Sequence, residues 1–260
     1  SMGEKPYRFN WQSPILLSPH SADVVYFGGN KFFRSLNRAD TMFTMADLTR
    51  GDKGGNVPYG TITTITESPL RFGLIYAGTD DGNIQVTKDG GYTWTLVNGK
   101  PSKTIDAPLT AGLWISRLVA SQYKEPRVYA TLNGYRFDDF SPYLYVSEDY
   151  GATWKSLGKD LPLESVNVVK EDPKNENILY VGTDGGLYVS FDRGQNFMLW
   201  NAGMPKSVPV HDIAIQEREN EIVLGTHGRS IYVARLDDVQ GLSTDKDYLK
   251  KKAEKKRIEP

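Results

Sequence analysis

Cysteine is absent from the 260 residues, which excludes disulfides, thiolate metal sites and cysteine nucleophiles and says nothing about compartment. An excess of either charge is also missing. Lys+Arg 31 against Asp+Glu 32 leaves a net charge of -1, so no global field draws nucleic acid or an anionic membrane surface. No apolar run approaches the roughly 20 residues of a membrane-spanning helix. No secretory leader is visible; Ser1-Met2-Gly3 reads as a cloning scar, with residues 1–6 a flexible start. No phosphate-cradling glycine loop, zinc-binding helix or nucleophile elbow occurs. Asp80-Asp81-Gly82-Asn83 lacks the spaced oxygen ligands of a calcium loop. The expectation is no metal and no cofactor.

Present instead are 25 Gly, 15 Tyr and 12% aromatic residues, a composition suited to many short strands and tight turns. An octet organises them. Thr87-Lys88-Asp89-Gly90-Gly91-Tyr92-Thr93-Trp94 returns as Ser147-Glu148-Asp149-Tyr150-Gly151-Ala152-Thr153-Trp154. Ser190-Phe191-Asp192-Arg193-Gly194-Gln195-Asn196-Phe197 keeps the spacing, and Ser35-Leu36-Asn37-Arg38-Ala39-Asp40-Thr41-Met42 is a worn copy. An Asp or Asn side chain accepts backbone N–H bonds across a bend, and the Gly two residues on takes positive φ freely. The closing Thr-aromatic pair then restarts a strand whose ring seeks a core. The octets centre on residues 37, 89, 149 and 192, uneven steps of 52, 60 and 43 where a propeller blade usually takes about forty to fifty residues.

A pair of strands precedes each octet. The second strands are expected at 24–28, 74–79, 127–132, 178–183 and 221–226, and the third at 31–35, 83–87, 143–147, 186–190 and 230–235. That makes five repeats, about 8–50, 56–100, 112–160, 164–204 and 207–236, within a domain of 7–238. The fifth lacks an octet and a fourth strand, which residues 7–11 or a downstream strand would supply. The third carries an insertion, 133–142, between its second and third strands. The Lys-rich end, 239–260, reads as a charged tail.

The octet resembles the Asp-box repeat of β-propellers found in sialidases, xyloglucan hydrolases, sortilin-type receptors and a photosystem II assembly factor. Over about 8–235 the chain is similar to the C-terminal part of long bacterial sortilin-like or glycosyl-hydrolase-like propeller proteins. Trp11-Gln12-Ser13-Pro14-Ile15, Asn56-Val57-Pro58-Tyr59-Gly60-Thr61-Ile62, Val208-Pro209-Val210-His211-Asp212 and Gly225-Thr226-His227-Gly228-Arg229-Ser230 carry that likeness. It implies an all-β propeller of about five four-stranded antiparallel blades and an exported protein. The octets would close the turns between strands 3 and 4, away from the binding face. Asn37, Asp89, Gly91, Trp94, Asp149, Gly151, Trp154, Asp192, Gly194 and Phe197 are then structural.

The resemblance sends the loops between strands 2 and 3, and between blades, to the opposite face. Candidate ligand-binding residues there are Tyr59, Trp114, Tyr135, Arg136, Asp138, Tyr143, His211, His227 and Arg229. Asp80, Asp184, His227 and Asn133 follow the second strands at equivalent positions. The 133–143 segment joins rings, an Arg and two carboxylates, a mixture suited to sugar or peptide recognition. The leading expectation is a non-catalytic module that binds a polysaccharide or a protein. One alternative is a glycoside hydrolase using two of Asp80, Asp138, Asp139 and Asp184, although Asp138 and Asp139, adjacent in sequence, do not face each other. Another is a scaffold completed by upstream blades or by dimerisation.

Overall fold

The computed structural model describes residues 6–51, 59–201, 203–205, 207–228, 230–245, 249 and 257–258. Arg229, expected as a ligand contact, and most of the tail lie outside them. The fold is a β-propeller of five blades. The first blade is β1 (Ile15–Ser18), β2 (Ser21–Gly28), β3 (Phe32–Ser35) and β4 (Phe43–Ala46), and the second β5 (Ile62–Glu67), β6 (Ile75–Thr79), β7 (Ile84–Thr87) and β8 (Thr95–Leu96). The third holds β9 (Trp114–Ala120), β10 (Val128–Gly134), β11 (Asp139–Ser147) and β12 (Lys155–Ser156). The fourth holds β13 (Val166–Glu171), β14 (Leu179–Thr183), β15 (Leu187–Ser190) and β16 (Met198–Trp200), and the fifth β17 (Val210–Gln216), β18 (Glu221–Thr226) and β19 (Ile231–Arg235). The chain divides into two compact units, 1–130 with 146–155 and 131–145 with 156–260.

Four octets join third to fourth strands, as expected. Asp149 accepts from Thr153 N at 2.8 Å, Thr153 Oγ1 at 2.6 Å and Ser147 Oγ at 2.8 Å, while Ser147 Oγ accepts Gly151 N at 2.7 Å. Burial alone would raise its pKa; these donors outweigh that and hold the carboxyl below its usual range. Asp89 is held low by Thr93 and Thr87 in the same way. In the third copy Asn196 Nδ2 replaces the Thr hydroxyl, 2.7 Å from Asp192. Every octet runs two residues at positive φ: Gly90 and Gly91, Tyr150 and Gly151, Arg193 and Gly194, and Arg38 and Ala39. Ala39, at φ 69, takes the conformation the other copies give to glycine. Relief of that strain, about 1–2 kcal/mol, exceeds the entropy a new glycine brings to the unfolded chain, about 0.4–1 kcal/mol. Ala39→Gly therefore raises stability by roughly 0.5–1 kcal/mol, read as a higher melting temperature.

In the first unit Val24, Tyr26 and Phe32 pack against Ile62, Ile65, Ile75 and Ala77 of the next sheet. In the second, Val168, Tyr180, Leu187 and Val189 pack against Ile213, Ile222 and Leu224.

Three expectations need correction. Among the described residues the fifth sheet keeps three strands: residues 7–11 form no strand, and the downstream strand β20 (Arg257–Ile258) pairs parallel with β16 instead. The segment 133–142 is largely a strand extension, because β10 runs to Gly134 and β11 starts at Asp139, leaving only a 3-10 turn, Tyr135–Phe137, and left-handed Asp138. The chain after 238 is not all solvated tail, for the helix Asp237–Leu242 buries Val239 beside Leu236 in the second unit's core.

Candidate functional site

One backbone feature recurs at the start of the blades. The β5–β6, β13–β14 and β17–β18 ladders each skip a residue: Thr63, Asn167 and His211. A bulge re-aims the side chain it carries. Each of these stands close in sequence register to a residue after the second strand, namely Asp80, Asp184 and His227.

In the second unit this makes a polar row. Asn133 Nδ2 lies 3.4 Å from Asn167 Oδ1, and Asn167 Nδ2 donates to Asp184 Oδ1 at 2.9 Å. The His211 and His227 rings are 5.2 Å apart. Half-buried His211 has its pKa lowered by desolvation and by His227, against the opposing pull of Asp184. Beside the row, Glu164 accepts from Thr183 Oγ1 at 2.6 Å and from Tyr188 OH at 3.4 Å. Burial and that carboxylate push the Tyr188 phenol up to about 12. Gly185 leaves room for Glu164, whose carboxylate would lie within 2.4 Å of any Cβ there.

The depressed pKa of His211 has a consequence for stability. The unfolded chain takes up a proton near pH 6.5, before folded His211 does, so stability is fully present above that pH and is lost as pH falls through the folded value. Melting curves between pH 7.5 and about 5 are expected to fall in the wild type and to fall less in His211→Gln.

The hairpin beyond Asn133 belongs to the same unit. Tyr135, Phe137 and Phe140 are 67%, 57% and 45% exposed, and Tyr135 meets Phe140 edge-on at 6.2 Å. Arg136 and Asp138 share the exposed tip. Asp139 accepts from Tyr143 OH at 2.6 Å and Ser141 N at 3.0 Å. Burial would raise its pKa, but these bonds win and keep it ionised.

Other expected site residues fall in the first unit. Asp80 is buried and accepts from Thr61 N at 2.8 Å and Thr61 Oγ1 at 3.1 Å. Tyr59 and Trp114 are half-buried there. The structure thus gathers Asn133, Asp184, His211, His227 and the hairpin residues in one unit, and leaves Tyr59, Asp80 and Trp114 to the other. Asn167 escaped the sequence reading. For Asn167 the signal was a polar residue between Val166 and Val168, matching Thr63 and His211.

No family model matches the chain, and no curated protein matches it. Solved structures do. The GH74 xyloglucanase from Xanthomonas campestris is 16% identical over 85% of this chain and 35% of its own, with a TM-score of 0.62. This chain therefore spans about a third of that enzyme. YCF48 bound to D1 peptide is 16% identical over 88% of this chain and 64% of its own, TM-score 0.58. The Cps50 (Swd1) β-propeller domain of Myceliophteria thermophila is 14% identical over 88% and 67%, TM-score 0.56. These similarities establish the β-propeller fold. They span a glycosidase and proteins of other kinds, so the fold carries no single activity.

Proposed function

We propose that this chain is a non-catalytic recognition module, a propeller of the Asp-box type that takes a polysaccharide or protein ligand on the hairpin-bearing loops of its second unit. One observation supports the reading above others: three exposed rings crown the hairpin, and Asp139 at its base is engaged by Tyr143 and Ser141 of its own strand. Rings flanked by hydrogen-bonding groups suit a ligand with apolar faces and polar edges. Asn133, Asn167, Asp184 and His227 offer the edges; Tyr135, Arg136, Asp138 and Tyr143 offer the rest. Nucleic acid fits poorly with a net charge of -1. Among the described residues no helix is long and apolar enough to cross a membrane. Export, as in the family the sequence resembles, accords with this role.

A glycoside hydrolase would need one carboxyl kept protonated as the acid and a second carboxylate across the scissile bond. Asp139 is held ionised, and buried Asp80 is spent on Thr61. Titration of the purified protein against oligosaccharide and peptide libraries, in parallel with a reducing-sugar assay, tests the reading. Saturable binding with no product is expected. Hydrolysis abolished by Asp139→Asn or Asp184→Asn would overturn it.

A further inference from the structure

Asp80 and Asp184 hold the same place in the second and fourth blades. Each follows a second strand, and each backbone N–H donates to the residue just before the first strand, Thr61 O at 3.0 Å and Ser165 O at 3.2 Å. Their carboxylates differ. Asp80 turns back on its own blade and takes Thr61 N and Thr61 Oγ1. Asp184 leaves the equivalent hydroxyl alone: Ser165 Oγ is fully buried with no hydrogen-bond partner among the described residues. The Asp184 carboxylate is turned to Asn167 instead, which engages Oδ1, and among the described residues no donor reaches Oδ2. An unpaired buried hydroxyl is a cost to the fold. Here it accompanies a carboxylate held on the polar row rather than inside its blade.

From Asp184 a hydrogen-bonded line runs to the hairpin. Asn167 Nδ2 donates to Asp184 Oδ1, Asn133 Nδ2 to Asn167 Oδ1, and Tyr135 N to Asn133 Oδ1 at 2.8 Å. The exposed Tyr135 ring thus marks one end, and a half-buried carboxylate with an open oxygen the other. The Glu164 carboxylate lies over Gly185, next along the chain from Asp184. The described charges of row and hairpin are Asp138, Asp139, Glu164 and Asp184 against Arg136, an excess of carboxylate. Half-buried His211, held below its usual pKa, is uncharged near neutral pH and adds a ring-nitrogen acceptor rather than a repelling cation.

We propose that this line binds a peptide through a lysine or arginine side chain, whose charge meets Asp184 while neighbouring residues of the peptide lie on the hairpin rings. The inference rests on the recognition role argued above and names its ligand class. An ammonium or guanidinium gives Asp184 Oδ2 the charge-assisted donor that this chain does not supply. Exposed ring faces attract cations and the aliphatic stems that carry them. Asn133 and Asn167, between the two ends, carry the donors and acceptors that a peptide backbone pairs with. Neutral glycans bring hydroxyls alone, and acidic glycans bring the charge that the carboxylates repel.

Arrays of peptides graded from acidic to basic, beside an array of neutral, acidic and amino-sugar glycans, test this on the full chain. Basic peptides are expected to be retained. Asp184→Asn should weaken that binding at least about tenfold with an unchanged melting temperature, because the amide oxygen still accepts from Asn167 and only the charge is lost. Glu164→Gln should weaken it less, since Thr183 and Tyr188 already occupy that carboxylate. Glu217→Gln, which removes an equal charge from the exposed turn at the far end of β17, should change nothing. Retention of neutral or acidic peptides, or of glycans, amino sugars included, with Asp184→Asn without effect would overturn the proposal and leave the recognition role standing. Silence on both arrays would sink the two together.

Discussion

Tyr180→Ala is expected to cost about 3–5 kcal/mol of stability, measured by chemical denaturation. The ring is fully buried, lies 6.1 Å from that of Trp200, and sits in the cluster that joins the fourth and fifth sheets. Truncation leaves a cavity that short strands pinned by ladders on both sides cannot collapse. The hydroxyl adds a second effect. It donates to Asp172 Oδ2 at 2.7 Å, and buried Asp172 also accepts from Lys174 N, Asn175 N and Gln240 Nε2. Tyr180→Phe removes one donor from a buried carboxylate and costs about 1–3 kcal/mol. Tyr76 occupies the equivalent place in the second blade and supplies the control. Its hydroxyl is buried with no hydrogen-bond partner among the described residues, and desolvation drives its pKa upward. Tyr76→Phe deletes an unpaired polar group, so stability holds or rises. An equal loss at both positions would refute this account of the tyrosine row.

That row shows how far the sequence could be read. Tyr26, Tyr76, Tyr129 and Tyr180 hold equivalent places in the second strands of the first four blades, at 0–1% exposure. Their spacing was visible, but whether a strand tyrosine points to core or solvent depends on which neighbour covers it. The octets were legible because their hydrogen bonds reach only four residues along the chain, so residue type alone sets the bend. Strands two and three were legible to within a few residues, because Gly and β-branched residues bound them on both sides. The bulges were not. Thr63 and Asn167 read as ordinary strand positions, and His211 as a residue of a loop between blades, until the register of the partner strand shows them skipped. The 133–143 segment misled for the opposite reason. Its polar and aromatic composition looks like a loop, while the ladder to β11 makes most of it strand.

Replacing Tyr135 and Phe140 together by Ala is expected to weaken ligand binding by roughly 30–100-fold, about 2–3 kcal/mol for a pair of aromatic anchors. The melting temperature should stay within about 1 °C, since rings this exposed contribute little to the fold. The hairpin is built to hold them still. Gly134 lies so close to Asp139 that a Cβ would meet its carbonyl at 2.6 Å, and Asp138 takes φ 53 to turn the chain. Asp139 then ties Ser141 and Tyr143 to the returning strand. A ring held before binding loses little rotamer freedom on contact, so more of its buried area appears as affinity. Tyr143→Phe distinguishes positioning from contact. It frees Asp139 without removing a ring, and should lower affinity less than the double variant while moving the Asp139 pKa upward toward its ordinary value. If the double variant instead lost stability and kept its affinity, the rings would belong to the fold, and the ligand would have to be sought along the row from Asn133 to His227.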